Sequence, residues 1–91
     1  MPDEDRRTKY DIYAAVIEIV ARKGLCSLTR ASYGANMPVD RTKRVMTYLV
    51  LRGFITEVDM ETAKKYRATK WGLEYLEAFK TMRKFFAALE E

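Results

Sequence analysis

Histidine is absent from this 91-residue chain, and cysteine occurs once. Without an imidazole there is no Ser-His-Asp or Cys-His arrangement, and a single thiol cannot close an intrachain disulfide. Cys/His zinc sites fall on the same count. Long apolar runs are missing too. The longest, Ile12 to Ile17, is far too short to cross a bilayer. The N-terminal Met-Pro-Asp-Glu-Asp lacks the charged-then-apolar pattern of a signal peptide, so the expected location is the cytoplasm. No carboxylate pair, glycine-rich phosphate loop or nucleophile–base set stands out. Asp59 and Glu61 read as the tip of a turn rather than as a metal site. The expectation is one small, non-enzymatic domain with no metal and no cofactor.

What the chain does have is a globular composition, with 48% hydrophobic and 33% charged residues. Its net charge is +4, from 17 Lys and Arg against 13 Asp and Glu. That surplus is not spread evenly. Residues 1–23 hold five basic and five acidic groups, residues 54–68 three of each, and residues 69–91 four of each. Between residues 24 and 53, Arg30, Arg41, Lys43, Arg44 and Arg52 face Asp40 alone, so the whole surplus lies there. A concentrated basic patch is the electrostatic footprint of a polyanionic partner, more so than the same charge diluted over a surface.

Residues 1–7 are polar and read as a loose tail. From Thr8 to Lys23, Tyr10, Tyr13, Val16, Ile17 and Val20 recur at helical spacing. Arg22 and Lys23 suit the negative end of that helix, and Gly24 stops it. Leu25 to Leu28 is a short extended linker. Within it Cys26 reads as a small buried apolar residue in preference to a reactive thiol, because no histidine can activate it. Thr29 is the expected N-cap of a second helix, Arg30 to Ala35. After the turn Asn36-Met37-Pro38, Pro38 opens a third helix that runs to Arg52 and ends at Gly53.

On a helical wheel Val39, Thr42, Val45, Met46, Leu49 and Val50 share one arc, expected to be the core face. Asp40, Arg41, Lys43, Arg44 and Thr47 fall opposite, as either a solvated charged face or one that reads a groove. Phe54 to Val58 and Lys65 to Ala68 read as two strands around a turn, a hairpin. Thr69 caps a last helix from Lys70 to about Glu91, longer than so small a domain requires for its own core. The fold class is therefore mainly α with a small β-hairpin. It is a winged helix-turn-helix, residues 8–69, followed by a long C-terminal helix, residues 70–91.

In this order the chain resembles the small archaeal winged-helix DNA-binding proteins over roughly residues 6–91. Thr29-Arg30-Ala31-Ser32-Tyr33-Gly34-Ala35-Asn36-Met37 is similar to the family's Thr-Arg-x-x-Tyr-x-Ala-Asn-Leu run. Tyr48 to Ile55 is similar to its recognition-helix exit. Tyr66-Arg67-Ala68-Thr69-Lys70-Trp71-Gly72 is similar to its Tyr-x-x-Thr-x-x-Gly start of the last helix. The resemblance implies a DNA binder whose last helix pairs with a second copy in an antiparallel coiled coil. Two departures stand out. Pro38 replaces a Ser or Asn cap, and the wing carries Glu57, Asp59 and Glu61, which repel phosphate.

The expected DNA contacts are Arg41, Lys43, Arg44 and Thr47 on the third helix, Arg30 and Ser32 on the second, and Lys65 and Arg67 on the wing. Tyr33 reads either as a phosphate-bonding hydroxyl or as a half-buried core aromatic. On the last helix Phe79, Met82, Phe86 and Leu89 form an a/d seam suited to self-pairing, while Trp71, Leu73 and Leu76 are expected to pack on the first helix. The partners that follow are double-stranded DNA and a second copy of the chain, with no membrane. The reading is a dimeric, nucleoid-associated transcriptional regulator. An architectural DNA-binding protein and a winged module for protein–protein assembly are the alternatives.

Overall fold

In the computed structural model, residues 7–90 are described, and the order of elements is helix, helix, helix, hairpin, helix. Most of the expected tail, and Glu91, lie outside the described residues. Helix α1 spans Lys9–Lys23. Its Thr8 cap accepts from the Asp11 amide while the Asp11 carboxylate accepts from the Thr8 amide, a reciprocal capping box. That backbone hydrogen bond from Thr8 is the main reason the Asp11 carboxyl titrates below its ordinary range, and the charges of Arg83 and Arg7 lower it a little further. Ile12, Val16, Ile17 and Val20 point inward and are almost fully buried. Gly24 ends the helix at φ +81°, a left-handed backbone that a side chain resists.

Cys26 then meets the wing. Its amide donates to the Tyr66 carbonyl at 2.9 Å, and the Tyr66 amide donates back at 2.8 Å, a single antiparallel bridge. Burial pushes the Cys26 thiol pKa up, which suits the small buried apolar residue expected there. Helix α2 spans Leu28–Ala35 and starts two residues before the expected point. Ser27, not Thr29, is its cap, because the Ser27 hydroxyl accepts the Arg30 amide at 3.1 Å. Helix α3 spans Val39–Leu51. Pro38 is its cap rather than its first residue, with φ −61° and ψ 151°, and it offers no side-chain hydrogen bond. The Pro38 carbonyl accepts twice from Thr42, from its amide and from its hydroxyl, each at 2.9 Å.

Of the arc assigned to the core on α3, Thr42, Met46 and Leu49 are buried, and Val45 and Val50 are half-buried. Val39 departs from the expectation: at the very start of the helix it is 47% exposed. The wing pairs β1, Ile55–Asp59, with β2, Lys64–Ala68, antiparallel from Ile55 opposite Ala68 to Asp59 opposite Lys64. Phe54 lies just before the strand and packs as an aromatic instead.

Helix α4 spans Lys70–Leu89 and stops short of the expected end at Glu91. It is anchored where α3 runs into β1. Thr69 caps it by accepting the Gly72 amide at 3.1 Å and donates its hydroxyl to the Gly53 carbonyl at 2.7 Å. A methyl on Gly72 would overlap the Phe54 carbonyl oxygen, so only glycine allows the helix to start this close to the wing. Further along, the Tyr75 hydroxyl donates to the Tyr10 carbonyl at 2.7 Å and ties α4 to α1; burial pushes this phenol up to about 12. Leu76 is buried as expected. Trp71 and Leu73 are not: Trp71 stacks on Phe54 instead of α1 and is 57% exposed, and Leu73 is 48% exposed.

The close approach at Gly72 gives a direct expectation. Gly72→Ala lowers thermal stability, by roughly 1–3 kcal/mol, through a backbone clash with no flexible group to yield. Thermal unfolding followed by circular dichroism reads this. An unchanged melting temperature would show that α4 does not start against Phe54.

Candidate nucleic-acid interface

Helix α3 stands on the helix-turn-helix angle, and that angle is set by its turn. Asn36 adopts the left-handed conformation at φ 59°, tolerable for asparagine, and its amide donates back to the Ser32 and Tyr33 carbonyls. Ser32, buried to 6% exposure, donates its hydroxyl to the Met37 carbonyl at 2.6 Å. The expectation that Ser32 contacts DNA is therefore corrected. Its hydroxyl faces inward and is committed to the turn.

The turn leaves the opposite face of α3 open. Arg41, Lys43, Arg44 and Thr47 are all exposed, as the wheel required. Asp40, Lys43, Arg44 and Thr47 line one shallow, open depression of about 410 Å³. Arg30 is exposed in the first turn of α2. The structure thus brings four of the expected residues together on one helix and adds Arg30 from its neighbour.

The wing candidates stand on a separate element. Arg67 is exposed opposite Thr56, and Lys65 is half-buried opposite Val58. Lys64 pairs with Glu57 at 3.4 Å, so part of the acidic charge on the outgoing strand is met within the hairpin.

Tyr33 admits two readings from sequence, and its place in the structure removes the half-buried core reading. It is 87% exposed on α2, among the most exposed large side chains described, and not a core aromatic. Spacing holds the signal: Ala31, Ser32 and Ala35 form the buried side of the short helix, which leaves position 33 outside.

A second surface lies on the distal half of α4. Met82, Phe86 and Leu89 are exposed at 47%, 55% and 78%. Phe79 differs from the expected seam. It is half-buried, stacks on Tyr75 with ring centres 5.9 Å apart, and carries the Arg83 guanidinium over its ring. Its place on the exposed stripe falls to Phe85, 60% exposed. Positions 82, 85, 86 and 89 have the i, i+3, i+4, i+7 spacing of one helical face, a sequence pattern that points to Phe85. Among the described residues no group of His, Cys, Asp and Glu could hold a metal ion, and no helix is long and apolar enough to cross a membrane.

A family model described as winged helix-turn-helix matches residues 6–86. No curated protein matches the sequence. Among solved structures, the fold is similar to Sso10a-2, a DNA-binding protein from Sulfolobus solfataricus, with a TM-score of 0.75 and 21% identity over 90% of this chain and 87% of that one. It is also similar to a MarR family transcriptional regulator from Silicibacter pomeroyi, with a TM-score of 0.74 and 15% identity over 85% of this chain. Streptococcus pneumoniae FabT, solved in complex with DNA, gives a TM-score of 0.70 and 15% identity over 84% of this chain. The chain spans 53% and 55% of those last two proteins.

The inward role of Ser32 is open to measurement. Ser32→Ala leaves the Met37 carbonyl without its partner and lowers stability by about 1–3 kcal/mol in chemical unfolding. A variant as stable as the parent would return Ser32 to the surface.

Proposed function

The chain belongs to the winged helix-turn-helix family, and from that premise we propose that it is a transcriptional regulator that binds double-stranded DNA as a homodimer and reads it with α3. The observation that carries this reading is the exposed cationic face of α3. Arg41, Lys43 and Arg44 sit there in the one stretch that holds the whole charge surplus. In a helix-turn-helix the second helix enters the major groove while the first crosses the backbone, so Arg30 is suited to phosphate. Arginine and lysine supply both guanine and phosphate contacts. Lys65 and Arg67 add a basic edge on the return strand of the wing. The similarity to Sso10a-2, a DNA-binding protein, and to FabT, solved in complex with DNA, supports the same reading.

The homodimer rests on Met82, Phe85, Phe86 and Leu89. Burying such side chains is worth roughly 1.5–3 kcal/mol each before entropic cost, and pairing of two α4 helices buries all four on both copies. Two winged units at the ends of one dimer then address two half-sites.

Selection of bound fragments from random duplex DNA tests the reading. A regulator enriches one or a few sequences. Equal affinity for all duplexes points to an architectural protein, and no binding at low salt points to a protein-assembly module. Replacing Lys43 and Arg44 together by Ala is expected to weaken binding by about tenfold or more. It should also flatten the fall of log affinity with log salt by about 0.9 for each phosphate that is no longer neutralised.

Light scattering should give twice the chain mass for the parent and a single chain for a Phe86→Glu, Leu89→Glu variant. A parent that stays monomeric at high concentration overturns the dimer.

A further inference from the structure

We propose that Asp40 is a specificity-determining residue whose carboxylate accepts the exocyclic amino group of a cytosine in the major groove. The proposal rests on the DNA-reading role of α3 and goes one step further, to the base that one side chain selects.

Asp40 is out of place on a face built for phosphate. It is the sole acidic residue between positions 24 and 53. It sits on the same exposed stripe as Lys43, Arg44 and Thr47, and together the four line one depression. Among the described residues no hydrogen bond or ion pair engages its carboxylate. A face that bound DNA by charge alone would lose affinity to an unpaired carboxylate at this place, because phosphate repels it.

One favourable role for that carboxylate is electrostatic and local. Asp40 lies in the first turn of α3, where negative charge suits the helix dipole. That role acts on stability and carries no base preference.

The other favourable role comes from the groove. Cytosine presents its N4 amino group as a donor in the major groove, and Asp or Glu accepts from it, whereas guanine presents only acceptors there. The N-terminal residues of a recognition helix are the ones that reach base edges. Asp40 occupies that place, with Lys43 and Arg44 one turn on as donors to guanine. The stripe therefore sets one acceptor ahead of two donors, a pattern that discriminates among base pairs.

The test is the same selection from random duplex DNA, run with the parent, Asp40→Ala and Asp40→Asn, each checked for folding by circular dichroism. The parent motif should contain a cytosine at one position of each half-site. Asp40→Ala should lose on the order of tenfold preference there and bind unrelated duplex more tightly. Asp40→Asn should move the preference from cytosine toward adenine, whose N6 and N7 fit an amide, and leave the other positions as they were. If both variants keep the parent motif at every position, the assignment falls while the regulator reading stands. If the parent enriches no sequence, the regulator reading falls and the assignment with it. A change in melting temperature alone, with base preference unmoved, assigns Asp40 to the helix dipole and also overturns the proposal.

Discussion

A single buried hydrogen bond, from the Ser32 hydroxyl to the Met37 carbonyl, governs how this molecule presents itself. It closes the turn between α2 and α3 from inside, while Asn36 bends the chain by taking the left-handed conformation. A carbonyl left unpaired at such a place would carry a desolvation cost comparable to a lost hydrogen bond, so the turn has little freedom to open. Everything outward follows from that angle. Thr42, Met46 and Leu49 face the core, and the cationic side of α3 has nowhere to go but solvent.

A second junction decides where α4 leaves the domain. Thr69 and Gly72 press the start of the helix onto Gly53 and Phe54, and Tyr75 reaches across to the backbone of α1. Leu76 and Phe79 complete the seal. Beyond Phe79 every described residue of α4 is exposed. The helix therefore changes character along its length, from an internal strut to an apolar stripe.

Periodicity and stop signals make much of this architecture legible. Four helices and a hairpin appear in the expected order, because the apolar positions of α1 and α3 and the glycines that end them are strong local signals. What local pattern does not disclose is which partner each side chain meets. Ser32 looks like any exposed serine of a short helix until its bond to a residue five positions on is seen. Phe79 and Phe85 are both phenylalanines near one seam, and only the Tyr75 ring and the Arg83 guanidinium decide that the first turns inward. Trp71 resembles core by its size, yet Phe54 gives it a flat partner at the surface. The basic residues of α3 are readable because charge on a wheel requires no partner to be placed. The wing lysine and arginine are not readable as a group, since a hairpin register says which strand they occupy but not what they face.

The uneven placement of charge has a kinetic side. The segment that holds α2 and α3 carries the net +4, while the flanking stretches balance, so the molecule is an electric dipole as well as a weak cation. Near a polyanion, such a dipole experiences a torque that turns the helix-turn-helix inward before any atoms touch. At 0.1 M salt the field reaches only about 10 Å, far less than the 51 Å long axis of the protein. Orientation is then a short-range event, completed in the last approach, and dilute salt lengthens the distance over which encounters are corrected into productive ones.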